Sequence, residues 1–557
     1  MSSSDRSPLA SLLADLSAGR INRRSFVAGA GSLGLSAALA GAVAEATLGT
    51  ASAAPGAASA IRSVSLQDGG KTLVLAITQT TVQLDPSIAG SNGYGDIIPI
   101  NENLFEGLTR YKNGSAEIEP ALAESWAASE DGLSYVFKLR SGVTFHDGTP
   151  FDAKAVATNF NRQLDENDPL HDPGMVYAGV ILQDVTKVEA TGDLEVTLTL
   201  GRPIKLVPAN LAVFAAGIVS PTALETYKGD FSNHAAGTGP FKLDHWTKDV
   251  ELVFVANDQY WGGRPKLDKV IWRTIAEDTV KLQELTTGSI DVANQLDFKD
   301  IDTVKNDANL QVVSGTFWNV QFLAVNQAVK PFDSAQVRQA LQYAINKQNI
   351  ADVVFYGNYT LGAGPIAPGL LGYDEALAST YPFDPEKAKS LISESGVGEV
   401  SFDLYNRTNS VWPLIGQLIQ ADLEAVGIKA NIVALEDAEF FSQLGTGKTA
   451  AFLNDWTWDN GDPDNVTYSL FSAPRAETRL GYKNDRVNEL NTLAQEEADQ
   501  NKRAEYYAEM QQLILQDAIN VFLGYPSRAI GAVAKVQGLV LSPIGNIVLR
   551  DVDVSAS

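Results

Sequence analysis

Alternation of apolar and polar side chains marks the strands of this chain. A β-branched and apolar run at residues 71–77 predicts a first core strand. Further on, Tyr135, Phe137 and Leu139 alternate with polar neighbours directly after an Asp-Gly turn. This combination predicts a β-hairpin with one buried face.

Apolar residues at three- and four-residue spacing mark the helices. Residues 97–109 show this spacing and predict a helix ended by a glycine. Asp152 predicts the start of a second helix, over residues 153–164, because its side chain suits the N-cap position. Ser334 predicts the same role for a helix that runs to Lys347, and Pro385 predicts the first turn of another.

Strand and helix patterns alternate from residue 71 to residue 101 and again from residue 312 to residue 441. Such alternation is typical of the α/β fold class. At 557 residues the chain has room for two or three domains with large cores.

One aromatic-rich string resembles a family signature. It runs from Leu122 to Arg162 and contains Ser129-Glu130-Asp131-Gly132 and Phe145-His146-Asp147-Gly148-Thr149-Pro150-Phe151. This string is similar to the signature of extracellular solute-binding proteins of the peptide and nickel transporter family, which are receptors of ABC importers. The resemblance continues in the same order through residues 237–241, 257–268 and 322–347, so it covers about residues 71–545.

The resemblance implies an α/β fold of two lobes joined by two crossover strands, which is the type II, cluster C periplasmic-binding-protein fold with an extra subdomain in lobe I. We expect the crossovers near Ser314–Trp318 and Gly524–Ala529. The expected divisions are lobe I over 71–313 with the extra subdomain at about 100–236, lobe II over 314–526, and a return to lobe I over 527–557.

The N-terminal region predicts export. Arg23 and Arg24 precede a glycine-rich, mildly apolar run, and Ala51-Ser52-Ala53 offers a small-x-small cleavage site. These are the features of a twin-arginine secretory signal over residues 1–53, followed by a flexible segment at 54–70. A second small-x-small site ends at Ala60, and an uncleaved membrane or amphipathic anchor is the alternative. Cleavage would leave a free protein in the periplasm.

Charge and composition narrow the partners. The formal net charge is −25, which disfavours nucleic acid and anionic membranes as partners because both need a basic surface. Cysteine is absent, which removes disulfides, thiolate nucleophiles and cysteine metal ligands. Four histidines without a ligand spacing give no metal site, so we expect no metal and no cofactor. We also expect a monomer.

A short loop concentrates the candidate chemistry. Residues 454–465 contain four carboxylates and two indoles, and their Asn-Gly and Asp-Pro steps prevent a continuous helix. Acids beside aromatic rings in a fixed turn suit a cation. The alternative is a solvated acidic turn that caps the helix beginning near Asn465.

The family resemblance assigns roles within this loop. In the dipeptide-binding members, the aspartate before Asn-Gly-Asp-Pro-Asp-Asn pairs with the ligand's α-ammonium group, and the matching residue is Asp459. In those members an arginine shortly before the helix that corresponds to Leu414–Val426 binds the ligand's carboxylate, and Arg407 is the nearby candidate, at an alignment offset of about one residue. The two would fix ligand length. Trp456 and Trp458 are candidate pocket walls; Asp459 as a turn residue and Arg407 as a surface residue are the alternatives.

These features predict a receptor, not an enzyme. The expected ligand is a short peptide, which the receptor would deliver to the permease subunits of an ABC importer in the membrane. A nickel–metallophore, opine, oligosaccharide or haem ligand is the alternative, because this family changes ligand without changing fold. A periplasmic hydrolase built on Asp459 and Asp462 is a distant alternative, since the sequence has no Gly-x-Ser-x-Gly or His-Glu-x-x-His motif.

Overall fold

The computed structural model describes most of the chain from residue 70 onward and part of the N-terminal region. The described residues are 12, 15, 16, 20–32, 70–88, 94–409, 411–472 and 474–554.

The helices of the described residues lie throughout the chain. In chain order they are α1 (Arg23–Ser32), α2 (Tyr94–Ile100), α3 (Ala153–Leu164), α4 (Ala178–Ile181), α5 (Val207–Asn210), α6 (Pro221–Tyr227), α7 (Asp278–Thr286), α8 (Ile301–Lys305), α9 (Ala335–Ala344), α10 (Lys347–Phe355), α11 (Pro385–Glu394), α12 (Trp412–Ala425), α13 (Asp437–Gly445), α14 (Asp464–Phe471), α15 (Pro474–Leu480), α16 (Asp485–Glu496) and α17 (Gln500–Asp517).

The strands of the described residues are mostly short. In chain order they are β1 (Thr72–Ile77), β2 (Thr109–Tyr111), β3 (Ile118–Pro120), β4 (Ala123–Ala128), β5 (Ser134–Leu139), β6 (Val185–Gly192), β7 (Glu195–Leu200), β8 (Phe241–Thr247), β9 (Glu251–Ala256), β10 (Lys269–Thr274), β11 (Val292–Ala293), β12 (Leu310–Thr316), β13 (Asn319–Val325), β14 (Tyr359–Leu361), β15 (Val400–Arg407), β16 (Ile428–Leu435), β17 (Ala451–Thr457), β18 (Asn520–Val533), β19 (Val536–Gln537) and β20 (Asp553–Val554).

A 12-stranded mixed sheet runs through both lobes of the molecule. Its main path is β16-β15-β17-β13-β18-β11-β1-β10-β9-β8, and β12 and β14 also pair with β18. The 14-residue strand β18 is shared between the lobes. Its first half pairs with β13 and β14, and its second half pairs with β11 and β12.

The strand pairing changes at the two places where crossovers are expected. β12 ends at Thr316, and β13 begins at Asn319 beside a different part of β18. Within β18, pairing with β13 ends at Gly524 and pairing with β12 begins at Ser527. The register of β13 against β18 also shifts between the pairs Gln321–Gly524 and Phe322–Phe522, so the ladder is irregular at this point. The structure has the two-lobed α/β fold that the resemblance implies. The residue boundaries of the lobes given above stay predictions.

A separate four-stranded sheet forms part of the region 100–236. Its order is β4-β5-β7-β6, and every pairing is antiparallel. Tyr135, Phe137 and Leu139 of β5 are buried, which confirms the predicted hairpin face. Helix α3 packs beside β6, and its N-cap is Asp152, whose side chain accepts a hydrogen bond from the backbone of Ala155 at 2.9 Å.

The core follows the sheet. Every residue of β13 is buried, as expected for a central strand covered on both faces. The predicted first strand is β1, and the predicted N-cap Ser334 accepts a backbone hydrogen bond at the start of α9. Pro385 occupies the first turn of α11 as predicted, and Asp384 is the N-cap of that helix.

The helix predicted over residues 97–109 is wrong in its second half. Helix α2 ends at Ile100, and β2 begins at Thr109. Pro99 removes one helical hydrogen bond, and Glu102 has a positive φ of 55°. Gly107 passes so close to the Leu211 carbonyl that a Cβ there would lie 2.4 Å from its oxygen. Tertiary packing therefore ends this helix early, against the local apolar spacing.

The described part of the N-terminal region is helical. Helix α1 begins at Arg23, and Phe26 and Ala30 are buried in the same apolar cluster as Leu323 of β13. The expected cleavage sites at Ala53 and Ala60 and the expected flexible segment 54–69 lie outside the described residues. Within the described residues, no helix combines the length and the apolar character that a membrane span requires.

Candidate functional site

The acidic loop connects β17 to α14 and is folded by its own side chains. The side chain of Asn460 accepts a hydrogen bond from the backbone of Asp462 at 3.0 Å, and Asp462 accepts one from the backbone of Asp464 at 3.0 Å. Such Asx turns fix the backbone without a helix or a strand. The loop is therefore an ordered part of the fold.

Asp462 is a structural residue. Its carboxylate is buried and lies 2.7 Å from the guanidinium of Arg503 on α17. The Tyr507 hydroxyl donates a further hydrogen bond to it at 3.1 Å. A buried carboxylate with these partners has no bond to spare for a ligand, which agrees with the role in shaping the turn that the sequence predicts for it.

Asp464 is also buried. Its carboxylate accepts a hydrogen bond from the Gln495 amide at 2.6 Å. Burial, together with the negative charge of Asp462, raises the pKa of Asp464 to about 7. This carboxylate ties the start of α14 to α16.

Asp459 differs from Asp462 and Asp464 because it lines a cavity. It is partly exposed, and no Lys, Arg or His nitrogen of the described residues lies within 4.0 Å of its carboxylate. Burial raises its pKa to about 6, although a hydrogen bond with Asn465 and the charge of Arg475 act in the opposite direction. A carboxylate in this environment gains most from a cation that enters the cavity.

The two loop tryptophans also line this cavity. The Trp456 indole donates to Asn465 at 2.7 Å, so Asn465 joins Trp456 to Asp459. Trp458 is 1% exposed, and its indole nitrogen has no hydrogen-bond partner among the described residues. Both rings thus form walls beside the carboxylate.

We call this space the first cavity; its volume is about 450 Å³. It lies between the acidic loop and the opposite lobe. Its lining comprises Ile97, Tyr177, Phe214, Phe441, residues 454–459, Arg475, Arg479, Ile544 and Asn546.

A second cavity of about 450 Å³ lies on the other side of Asp455 and Thr457, which line both cavities. Its lining includes Thr78, Phe317, Arg407, Trp412 and Arg528. The second cavity thus reaches the crossover strands.

Arg407 lies in the second cavity and forms an ion pair with Asp455. Its guanidinium carbon also lies 4.6 Å from the centre of the Trp412 ring. The Nε atom of Arg407 is buried and lacks a hydrogen-bond partner among the described residues. Arg407 is therefore a cleft residue, and its charge is already shared with a protein carboxylate.

The two lobes touch at the rim of the first cavity. The backbone of Gly461 donates to the Tyr111 hydroxyl at 2.7 Å, and Asn460 donates to Asn210 at 2.9 Å. A Cβ on Gly461 would lie 3.0 Å from both Ala116 and the Trp318 ring, so the absence of a side chain permits this approach. The acidic loop therefore serves both the cavity and the lobe contact.

Arg475 and Arg479 were not found from the sequence. They lie four residues apart on α15 and line the same cavity as Asp459. Their spacing, directly after the acidic loop, is the signal that was available, because residues four apart share a helix face. In the described residues, no group of three or more His, Cys, Asp or Glu side chains is arranged to hold a metal ion.

Comparison with known proteins agrees with this architecture. Residues 117–478 match the family described as Bacterial extracellular solute-binding proteins, family 5 Middle. This chain belongs to that family. As a family 5 member, it is a solute-binding protein of the kind whose ligand enters a cleft between two lobes.

Relatives of this family 5 protein carry different ligand names. The heme-binding protein A of Haemophilus influenzae is 31% identical over 80% of this chain and 86% of its own length. The di/tripeptide-binding protein 2 of Pseudomonas aeruginosa is 32% identical over 79% of this chain and 87% of its own length.

A solved structure is similar across the whole fold. The dipeptide-binding protein of a Pseudoalteromonas species in complex with Met-Leu matches with a TM-score of 0.75 and 26% identity. The match covers 87% of this chain and 100% of that protein. The fold is thus the two-lobed α/β fold that the sequence predicts.

Proposed function

We propose that this protein captures short peptides between its lobes and delivers them to an ABC permease in the membrane. The carrying observation is Asp459, a carboxylate that faces the first cavity without a cationic partner among the described residues. The dipeptide-binding and di/tripeptide-binding names of its relatives support the same ligand class.

The ammonium group of a peptide is the cation that suits Asp459. An ammonium placed in the first cavity beside the carboxylate and the Trp456 and Trp458 rings would form a charge-assisted hydrogen bond, which becomes stronger as the closing lobes remove water. It would also lie beside aromatic faces, which attract cations. Closure of the lobes then strengthens both interactions.

Arg407 is the proposed partner of the peptide carboxylate. Its contact with Asp455 uses one terminal nitrogen and leaves further donors of the guanidinium fork for a ligand. Because Asp459 and Arg407 lie in adjacent cavities, a ligand that reaches both must extend past Asp455 and Thr457. The pair would thereby select ligands of a limited length.

Calorimetry with di- and tripeptides tests the proposal. We expect binding by the mature protein and a loss of at least about tenfold in affinity on Asp459→Ala, since one charge-assisted hydrogen bond contributes about 1.5–3 kcal/mol. The exposed residue Asp485 provides a matched control as Asp485→Ala. Full affinity of Asp459→Ala for every peptide that binds would refute the assigned role.

The ligand retained after gentle purification is the more general test. A peptide found by mass spectrometry supports the proposal, whereas haem, a nickel–metallophore, an opine or an oligosaccharide would replace it. The alternative function as a periplasmic hydrolase predicts that the protein cleaves a peptide or a glycoside from a test panel. Cleavage that is abolished by Asp459→Asn would indicate this function instead.

We propose export to the periplasm by the twin-arginine route, and Arg23 and Arg24 support it. Replacing both arginines by lysine keeps the charge but removes the arginine pair. We expect the precursor to remain in the cytoplasm, as measured by cell fractionation. Normal export of the double-lysine variant would contradict this route.

A further inference from the structure

We propose that Arg475 and Arg479 of α15 form an anion subsite of the first cavity and select peptides whose first residue is acidic. This inference rests on the proposed function and names its substrate class. It concerns a side-chain carboxylate of the ligand, in addition to the main-chain ammonium and carboxylate groups.

The first observation is the position of the two arginines. Both line the first cavity together with Asp459. The Arg475 guanidinium carbon lies 5.4 Å from the centre of the Trp456 ring, which is itself joined to Asp459 through Asn465. Arg479 is four residues further along the same helix and is half-buried. The two positive charges therefore lie on the wall beside the proposed ammonium site.

The second observation is that these two charges have no carboxylate partner among the described residues. Among the residues described here, no Asp or Glu oxygen lies within 4.0 Å of either guanidinium, whereas Arg407 and Arg503 each have such a carboxylate. The two arginines also lie close enough to each other that burial, and then the charge of Arg475, lowers the pKa of Arg479. Nearby like charges at the edge of a cleft favour an anion between them.

The charged groups that line the first cavity indicate which further charge the ligand should carry. The charged groups of its lining are Asp455, Asp459, Arg475 and Arg479, and Asp455 is already paired with Arg407. The remaining groups are one carboxylate and two guanidinium groups. A ligand ammonium at Asp459 therefore leaves both guanidinium groups uncompensated, and a further carboxylate on the ligand would compensate them.

The shared position of Asp459 and the two arginines in one cavity indicates which residue of the peptide carries this carboxylate. The side chain nearest to a peptide's α-ammonium group is that of its first residue. Since Asp459 and the two arginines line one cavity, the first side chain of the peptide would lie in that cavity. Glutamate or aspartate there could accept hydrogen bonds from a guanidinium fork, which suits a carboxylate better than a point charge does.

The experiment compares Glu-Ala with the isosteric, neutral peptide Gln-Ala by calorimetry. We expect the wild-type protein to bind Glu-Ala at least about tenfold more tightly, which corresponds to about 1.4 kcal/mol. In the variant with Arg475→Gln and Arg479→Gln together, this ratio should fall close to one while the affinity for Gln-Ala stays within about twofold. Arg486→Gln is the matched control, because this arginine is exposed on α16 and pairs with Glu509; the ratio should not change.

The outcomes separate this inference from the proposed function. Equal wild-type affinities for the two peptides, or a ratio that survives in the double variant, would overturn the anion subsite and leave peptide capture standing. An equal loss of both peptides in the double variant, with the thermal unfolding midpoint unchanged, would also overturn it, because the arginines would then bind a group common to both. If neither these nor other peptides bind the wild-type protein, the proposed function and the subsite fall together.

Discussion

At the scale of single residues, the four carboxylates of the acidic loop have separate environments. Asp455 is paired with Arg407, Asp462 is paired with Arg503, and Asp464 is buried against Gln495. Asp459 alone of the four faces the cavity without an ion-pair partner within the described residues. The four aspartates are close together in the sequence, but they do not form one acidic surface. The partner of each carboxylate determines its role.

The raised pKa of Asp459 predicts a pH-dependent affinity. Below pH 6 this carboxylate is mostly protonated in the unliganded protein, and an ammonium ligand can bind strongly only after the proton leaves. We expect affinity for a neutral dipeptide to be highest near pH 7, to fall by up to about tenfold per unit below pH 6, and to fall again above about pH 8, where the α-ammonium group of the ligand loses its proton. Calorimetry in buffers of different ionisation enthalpy would detect the released proton.

The control for this dependence is Asp459→Asn. This variant binds more weakly, but the part of the dependence between pH 5 and 7 should disappear. The same slope in the variant and in the wild-type protein would assign the titration to another group.

Removal of Asp462 should destabilise the whole fold. Asp462→Ala leaves Arg503 as a buried charge without its carboxylate, and breaking a buried pair in this way costs about 3–5 kcal/mol. We expect a lower free energy of unfolding in chemical denaturation. The control breaks an exposed ion pair, Arg486–Glu509. Glu509→Ala should lower the free energy of unfolding by less than about 1 kcal/mol. Stability unchanged by Asp462→Ala would contradict the structural role of this residue.

At the scale of elements, the rim of the first cavity is a contact between the two lobes. The Tyr111 hydroxyl at the end of β2 accepts the hydrogen bond from Gly461 and donates to the Ala209 carbonyl at 3.3 Å. It thus connects the acidic loop of one lobe to the end of α5 in the other. Loss of this connection favours the open arrangement of the lobes.

Tyr111→Phe should therefore speed ligand release. One hydrogen bond contributes about 0.5–1.5 kcal/mol, so we expect a two- to tenfold increase in the dissociation rate with little change in the association rate. Stopped-flow fluorescence of the tryptophans near the cleft can measure both rates. The exposed Tyr227→Phe provides the control. An unchanged dissociation rate would show that this contact does not hold the lobes together.

Much of the element pattern could be predicted from the sequence because it depends on local chemistry. Asp152 and Ser334 cap helices through their own side chains, and the hairpin of β4 and β5 follows from alternation. Pro99 was a local signal against a helix over residues 97–109. The positive φ of Glu102 and the close approach of Gly107 to the Leu211 carbonyl, more than 100 residues away, depend on tertiary packing and could not be predicted.

The site was predictable only in part for the same reason. Asp459 lies in a motif of consecutive residues, which the sequence shows directly, and in the structure it lines a cavity. The ion pair of Arg407 with Asp455 depends on the pairing of β15 with β17, which consecutive residues do not show. Arg475 and Arg479 belong to the cavity only because α15 turns back towards the acidic loop.

At the scale of the whole molecule, buried carboxylates affect stability across the pH range. Burial raises the pKa of Asp300, Asp422 and Asp459 to about 6 and that of Asp464 to about 7. A carboxyl group whose pKa is raised in the folded state destabilises the fold above that pKa, and this cost disappears as the pH falls towards 3.8. The net charge of −25 adds repulsion that acid also reduces.

Two kinds of group oppose this trend. Burial lowers the pKa of His146 to about 4, so its contribution is lost as the pH falls from 6.5 towards 4. The Arg162 partner of Asp85 lowers the pKa of that carboxyl despite its burial, and the corresponding stability is lost below about 3.8. Burial raises the pKa of Glu106 as well, so five carboxyl groups with a raised pKa stand against one histidine. The carboxyl groups with a lowered pKa lose their contribution only below about pH 4. We therefore expect the highest unfolding temperature near pH 5, measured by differential scanning fluorimetry. A midpoint that rises steadily from pH 5 to pH 8 would contradict this balance.

The irregular register of β18 beside Gly524 has a mechanical consequence. Residues up to Pro526 are paired with β13 and β14, and residues from Ser527 onward are paired with β12, so rotation of the lobes can be taken up as local twist of β18 without loss of either ladder. Amide hydrogens of β18 on both sides of Gly524 should therefore exchange slowly with solvent deuterium with or without ligand, while the amide of Gly461 should become protected only when the lobes close. The central strand would then act as a torsional axis that keeps its length and its partners through each cycle of capture and release.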